Sequence, residues 1–130
     1  MFDAATRVLI VDDMMTMRKI VAKACKDIGF TDITEAADGQ KAWEIMQTSQ
    51  FGLVISDWNM PNCTGIDLLK RVRADGRNKG IPFILLTAES ESHQVAEAVK
   101  AGVDNYIVKP FTPDLLQKKL EETYKKTSGR

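Results

Sequence analysis

The sequence predicts one α/β domain, a doubly wound five-stranded parallel sheet with five helices on its two faces. Three observations predict it. Short apolar runs alternate five times with longer stretches of helical periodicity. The runs are short and rich in Val, Ile, Leu or an aromatic, as fully buried parallel strands are. No long linker, repeat or low-complexity segment interrupts the 130 residues, a length near the commonest domain size.

The strands are expected at Val8–Val11, Ile33–Ala36, Leu53–Ser56, Phe83–Leu86 and Tyr106–Val108, each short and rich in Val, Ile, Leu or aromatics. The first helix carries the stripe Ile20, Val21, Ala24, Cys25, Ile28 and stops at Gly29. The second runs from about Gly39 to Gln47 with Ala42, Ile45 and Met46 inward. The third presents Ile66, Leu68, Leu69 and Val72 before Gly76 breaks it. The fourth starts near Ser90 as N-cap and carries Val95, Ala98 and Val99 to a stop at Gly102. The fifth has Thr112 as N-cap, Pro113 at the first helical position and Asp114 favourable to the dipole, with Leu115, Leu116, Leu120 and Tyr124 as its stripe. Right-handed crossovers then place helices on both faces. Residues 1–130 read as a single domain, with a Lys-rich tail after Tyr124.

Composition narrows the function classes. Eighteen basic and eighteen acidic residues cancel, which argues against nucleic acid as a partner. No apolar stretch approaches the ~18–20 residues of a membrane span, so no membrane insertion is expected. Met1-Phe2-Asp3-Ala4-Ala5-Thr6 lacks the basic start and apolar core of a signal peptide. Cys25 and Cys63 fit no metal spacing, and two free thiols in a reducing cytoplasm are expected.

In this architecture the carboxyl ends of all strands share one edge, where ligands bind. The first strand ends in Asp12-Asp13, the third in Asp57, the fourth in Thr87-Ala88 and the fifth in Lys109-Pro110. Each alone has a plainer explanation: an aspartate caps or turns, a threonine ends a strand, a lysine is solvated. The conjunction of four strand ends outweighs them. Carboxylates ~4 Å apart repel by about 4 kcal/mol at an effective dielectric near 20, so such a cluster needs raised pKa values or a cation. Oxygen ligands with room for waters suit Mg²⁺. The pattern is that of phosphoryl transfer, with Asp57 as nucleophile, Lys109 offsetting charge and Thr87 offering a hydroxyl. Trans is the base-rate expectation for Lys109-Pro110, though the dipeptide permits cis.

These residues resemble the receiver domain of two-component response regulators. The resemblance spans the chain and rests on Asp12-Asp13, Ile55-Ser56-Asp57-Trp58-Asn59-Met60-Pro61, Leu85-Leu86-Thr87-Ala88 and Lys109-Pro110-Phe111-Thr112. Trp58-Asn59, Arg73-Ala74-Asp75-Gly76 and Thr87-Ala88-Glu89 resemble the stand-alone chemotaxis members of that family. The resemblance implies a flavodoxin-like fold and a monomeric signalling switch with no effector domain. Asp57 would accept phosphate from a histidine kinase, the protein catalysing both its own phosphorylation and its dephosphorylation. Mg²⁺ would be held by Asp12 (through a bound water), Asp13, Asp57 and the backbone carbonyl of Asn59. Thr87 and Tyr106 would form the switch. The output face would comprise Val95, Val99, Tyr106, Val108, Phe111, Thr112 and Lys119, and its partner would be the flagellar motor switch protein. A phosphatase is a further partner the family allows.

Some residues depart from the family pattern. Cys63-Thr64-Gly65 stands where Met-Asp-Gly is common, so an acid is missing, while Gly65 still permits the turn. Met14 and Met15 make the rim more apolar. Glu91 and Ser92 make the start of the fourth helix acidic and polar, and the single histidine, His93, reads as a surface residue. Trp43 reads as packing, whereas Trp58 abuts the acceptor and should sense the metal. Other readings are a phosphorelay intermediate and a Mg²⁺-dependent aspartyl phosphatase of the haloacid-dehalogenase type. The latter needs a second Asp two residues after the nucleophile, where this chain has Asn59. A nucleotide- or flavin-binding module would need a Gly-rich loop after the first strand, and none follows it.

Overall fold

The computed structural model describes residues 1–88 and 92–130, without the side chains of Ser92 and His93. The expected N-cap Ser90, the acidic start at Glu91 and Ser92, and the surface placement of His93 fall outside the described residues. Five strands, β1 (Arg7–Val11), β2 (Asp32–Ala36), β3 (Leu53–Asp57), β4 (Phe83–Thr87) and β5 (Asn105–Val108), alternate with five helices, α1 (Met15–Ile28), α2 (Gly39–Thr48), α3 (Gly65–Ala74), α4 (Ser92–Ala101) and α5 (Pro113–Thr127). All strand pairs are parallel, in the order β2-β1-β3-β4-β5. This is the predicted flavodoxin-like, doubly wound sheet.

Period-two alternation along the strands builds two cores. Val8, Ile10, Leu53, Ile55, Ile84, Leu86 and Ile107 pack towards Val21 and Cys25 of α1 and Leu116 and Leu120 of α5. Leu9, Val11, Val54, Phe83 and Leu85 pack the other way, against Met46, Leu68, Leu69, Val72 and Ala98 of α2, α3 and α4. The central strands β3 and β4 are buried along their whole length. Each fully buried aliphatic contributes about 1.5–3 kcal/mol. That burial holds the middle of the sheet, and with it the carboxyl edge of β3, in place.

Helix ends follow local chemistry. Gly29 and Gly102 stop α1 and α4 at positive φ, 129° and 95°. Thr112 accepts the Leu115 N–H at 3.1 Å as the α5 N-cap, with Pro113 behind it. Thr64 caps α3 reciprocally with Asp67, so the residue standing where the family pattern has an acid does structural work at a helix start.

Several expectations are corrected. β2 is half-buried except at Ala36, because it is an edge strand with a neighbour on one side only. Ile20 (51 % exposed) and Val99 (63 %) lie outside the core. Both sit at the margin of their helix's apolar stripe, facing water rather than the sheet. α3 ends at Ala74 with Asp75 as C-cap, one residue before Gly76. The Lys-rich segment after Tyr124 is no loose tail. Helix α5 continues to Thr127, and Arg130 forms an ion pair with the buried Asp104, which also pairs with Arg73 at 2.9 Å and accepts the Phe83 N–H at 2.9 Å. Among the described residues, no helix is long and apolar enough to cross a membrane.

Candidate functional site

The strand order reverses between β1 and β3: β1 leads outward to β2, whereas β3 continues towards β4 and β5. Their following loops therefore diverge and leave a crevice at the carboxyl edge. Register brings the predicted residues to it, since Val11 lies beside Ser56, Asp57 beside Leu86, and Thr87 beside Val108. Backbone hydrogen bonds continue the pairing past the strands. The Asp12 N–H donates to the Ala36 carbonyl (3.1 Å), Trp58 N–H to Leu86 (2.9 Å) and Lys109 N–H to Thr87 (2.7 Å).

Asp57 is buried, and its two oxygens differ. Oδ1 accepts from the Lys109 ammonium at 2.8 Å and from the Trp58 N–H at 3.0 Å. Among the described residues no protein donor reaches Oδ2. Lys109 also reaches Asp12 Oδ2, at 3.6 Å, as an ion pair beyond hydrogen-bonding distance. One largely buried ammonium thus serves two carboxylates.

Asp12 is the electrostatic anomaly. It is fully buried, its Oδ1 accepts the Met14 N–H at 2.9 Å, and its Oδ2 is buried with no hydrogen-bond partner among the described residues. Burial holds its carboxyl above the ordinary range. The Met14 N–H opposes that shift, the Asp57 charge adds to it, and Lys109 opposes it in turn. Asp13 is exposed, and oxygens of Asp12, Asp13 and Asp57 lie within 4.8 Å of one another. An under-satisfied buried oxygen among three hard donors fits a small hard divalent cation such as Mg²⁺.

Thr87 is buried at the end of β4, and Asn59 is exposed two residues beyond Asp57. With Ala88 and Gln94 of α4 they line a cavity of about 240 Å³. Tyr106 is half-buried on the α4 side of β5, with Lys119 Nζ 5.4 Å from its ring centroid. Of the expected output face, Val95, Val99, Tyr106, Val108 and Lys119 belong to α4, β5 and α5, and Val99 is the most exposed of them. Phe111 lies elsewhere. It packs with the α1–α5 core and lines a groove with Ile20, Lys23, Ala24, Asp27 and Pro113. Thr112 is exposed, and its hydroxyl is committed to the helix cap. Trp58 is buried in the core beneath the site, and Trp43 packs partly buried against the same core. The Lys109-Pro110 bond is cis, not the trans form that base rates favour.

Two contributors, Arg18 and Gln94, were not singled out from sequence. Arg18 donates to the Asp12 carbonyl at 2.8 Å and to Glu35 at 3.1 Å, buttressing the acid pair from α1. Its only sequence signal is a basic residue on a helix following acids. Gln94 carried no signal, since it lies seven residues beyond Thr87. Gly65 was expected to permit a turn, but its φ is unexceptional and the positive φ falls at Asn62 (68°). Its requirement is steric, because a Cβ there would stand 2.2 Å from the Asp57 carbonyl oxygen. Gly39 is similarly confined by Cys63 Sγ, 2.7 Å from where a Cβ would lie.

Comparison with known proteins agrees with this geometry. Residues 8–121 match the family described as the response regulator receiver domain. The chain is 46 % identical over 123 residues to the chemotaxis protein CheY of Pseudomonas aeruginosa, covering 95 % of this chain and 99 % of that protein. Its fold matches the chemotaxis response regulator CheY4 of Vibrio cholerae with a TM-score of 0.85 and 35 % identity, covering 92 % of this chain and 98 % of that one. The receiver domain of a Pseudomonas aeruginosa sensor histidine kinase, which has a magnesium ion coordinated in its active-site cleft, shares the fold at a TM-score of 0.81 and 24 % identity, covering 90 % and 95 % of the two chains.

Proposed function

The chain belongs to the response regulator receiver family, and from that premise we propose that it is a chemotaxis-type switch phosphorylated on Asp57. A receiver domain is a signalling switch rather than a conventional enzyme. The observation that carries the proposal is the asymmetry of the Asp57 carboxylate. Two donors hold Oδ1, leaving Oδ2 as the oxygen available to react.

Asp57 Oδ2 attacks the phosphorus of a phosphohistidine on a histidine kinase. A P–O bond forms as the P–N bond breaks, and the electron pair leaves on the imidazole nitrogen. Asp13, Asp57 and the Asn59 carbonyl would hold Mg²⁺, with Asp12 acting through a bound water, and the ion when bound would supply positive charge to offset the phosphoryl oxygens. Lys109 already sits 2.8 Å from Asp57 and needs only a short swing to follow the new negative charge. Thr87, buried beside the cavity, donates its hydroxyl to a phosphoryl oxygen, and Tyr106 packs inward behind it. Phosphorylation thereby biases a pre-existing equilibrium of the α4–β5–α5 face. The partner read there is the flagellar motor switch protein, docking on Val95, Val99, Tyr106, Val108, Thr112 and Lys119. Phe111 is left to the α1 groove. The 46 % identity to a chemotaxis protein over nearly the whole chain supports that output. We place the protein in the cytoplasm, where its two free, buried cysteines stay reduced.

The test is incubation with acetyl phosphate or beryllofluoride and Mg²⁺, following Trp58 fluorescence and phosphoryl incorporation. Asp57→Asn should abolish incorporation, and EDTA should suppress both signals. Label that survives Asp57→Asn would overturn the assignment.

A further inference from the structure

Two polar side chains in the described lining of the cavity beside Asp57 take no part in the phosphorylation chemistry: Asn59, of which only the backbone carbonyl is used, and Gln94 on α4. The cavity's described lining is Asn59, Thr87, Ala88 and Gln94, and its volume of about 240 Å³ is several times the ~30 Å³ share of a water. It therefore has room for a phosphoryl group and solvent together. Asn59 stands two residues beyond Asp57, and Thr87 follows Leu86, the β4 register partner of Asp57, so the space opens beside the acceptor, while Gln94, half-buried on α4, lines it from the helix.

Hydrolysis of an acyl phosphate needs a water in line with the breaking bond, on the far side of phosphorus from Asp57. The transition state for such transfer is loose, so little covalent help is required and positioning supplies most of the acceleration. Lys109 and Thr87 are committed to phosphoryl oxygens by the proposed phosphorylation chemistry. A glutamine amide both accepts and donates, so it can take one O–H of a water and hold the oxygen towards phosphorus.

We infer that Gln94 is a positioning residue for dephosphorylation, its amide orienting the water that attacks the Asp57 acyl phosphate across the cavity lined by Asn59, Thr87 and Ala88. The inference rests on Asp57 as phosphoacceptor. Water oxygen bonds to phosphorus, the P–O bond to Asp57 breaks with its electron pair returning to the carboxylate, and the water's proton leaves with inorganic phosphate or solvent. Gln94 itself exchanges no proton.

The experiment labels wild type, Gln94→Ala, Gln94→Met and Asp57→Asn with radiolabelled acetyl phosphate and Mg²⁺. It follows label decay after donor removal, the labelling rate, and beryllofluoride affinity by Trp58 fluorescence. Losing one orienting hydrogen bond should lengthen the acyl phosphate lifetime about fivefold in both Gln94 variants. Labelling rate and beryllofluoride affinity should stay within about twofold. Gln94→Met keeps the length without the amide, so a wild-type lifetime in that variant would overturn the inference. Labelling and decay slowing together would do so too, because that is the signature of altered cavity shape. Failure of wild type to label, or label surviving Asp57→Asn, would instead overturn the phosphoacceptor reading beneath it.

Discussion

Asp12→Asn should make the metal-free protein more stable and the Mg²⁺-loaded protein comparatively less so. Asp12 and Asp57 present oxygens no more than 4.8 Å apart, a repulsion of at least about 3.5 kcal/mol at an effective dielectric near 20. Lys109, 3.6 Å from Asp12, returns about 4.6 kcal/mol on the same scale, so the two Coulomb contributions nearly cancel. What remains is the burial of a charged oxygen with no hydrogen-bond partner, a cost of about 1–3 kcal/mol. The raised carboxyl pKa has the matching sign. A proton binds Asp12 more tightly in the folded state, so its contribution is favourable below the ordinary value of 3.8 and is lost as pH rises through the higher folded value. An amide removes the charge and keeps an oxygen for the Met14 N–H. Urea unfolding in EDTA should show a gain of about 2 kcal/mol, a rise of several degrees in Tm for a domain of this size. With Mg²⁺ at 100 times its Kd, wild type gains about 2.7 kcal/mol that the variant largely forgoes, so the order closes or reverses. A variant less stable than wild type in EDTA, at equal m-value, would refute the claim that Asp12 is held at a cost for the cation.

Three further outcomes are expected. Asp104→Ala should destabilise by about 3–5 kcal/mol in urea, because it strips the charge partner from Arg73, whose guanidinium burial already pulls below its ordinary pKa, and from Arg130; a loss under 1 kcal/mol would mean that Arg73's three backbone carbonyls suffice. Gly65→Ala should cost at least ~1–3 kcal/mol and slow Asp57 labelling, since the new Cβ meets the Asp57 carbonyl, whereas Gly76→Ala, with nothing within 4 Å, should be near neutral. Cys25, fully buried with its thiol pushed up to about 12, should resist iodoacetamide at pH 8 until urea unfolds the chain. Because the unfolded thiol ionises near 9.0, stability should be intact below that pH and fall as pH climbs towards 12, and Cys25→Ala should flatten that slope in alkaline unfolding curves.

The sequence by itself determined the element order, the sheet type and the rim of Asp12, Asp13, Asp57, Thr87 and Lys109. Unbroken apolar runs mark central parallel strands, and a residue's place at a strand's carboxyl end follows from chain order alone. Edges were less legible. β2 and β5 carry the same β-branched signal as central strands, and only the pairing order leaves one side of each without a neighbour. Ile20 and Val99 were misjudged for the same reason: periodicity gives a helix face but not what the neighbouring elements cover. The tertiary structure alone decided which oxygen of Asp57 is held and which left open, that one ammonium serves both Asp57 and Asp12, and that Gly65 is demanded by a backbone approach rather than by a turn. It alone brought Gln94 to the cavity and Arg130 to Asp104. Those facts depend on distances between segments far apart in the chain, set by how the helices seat on the sheet, and no local pattern of residues encodes them.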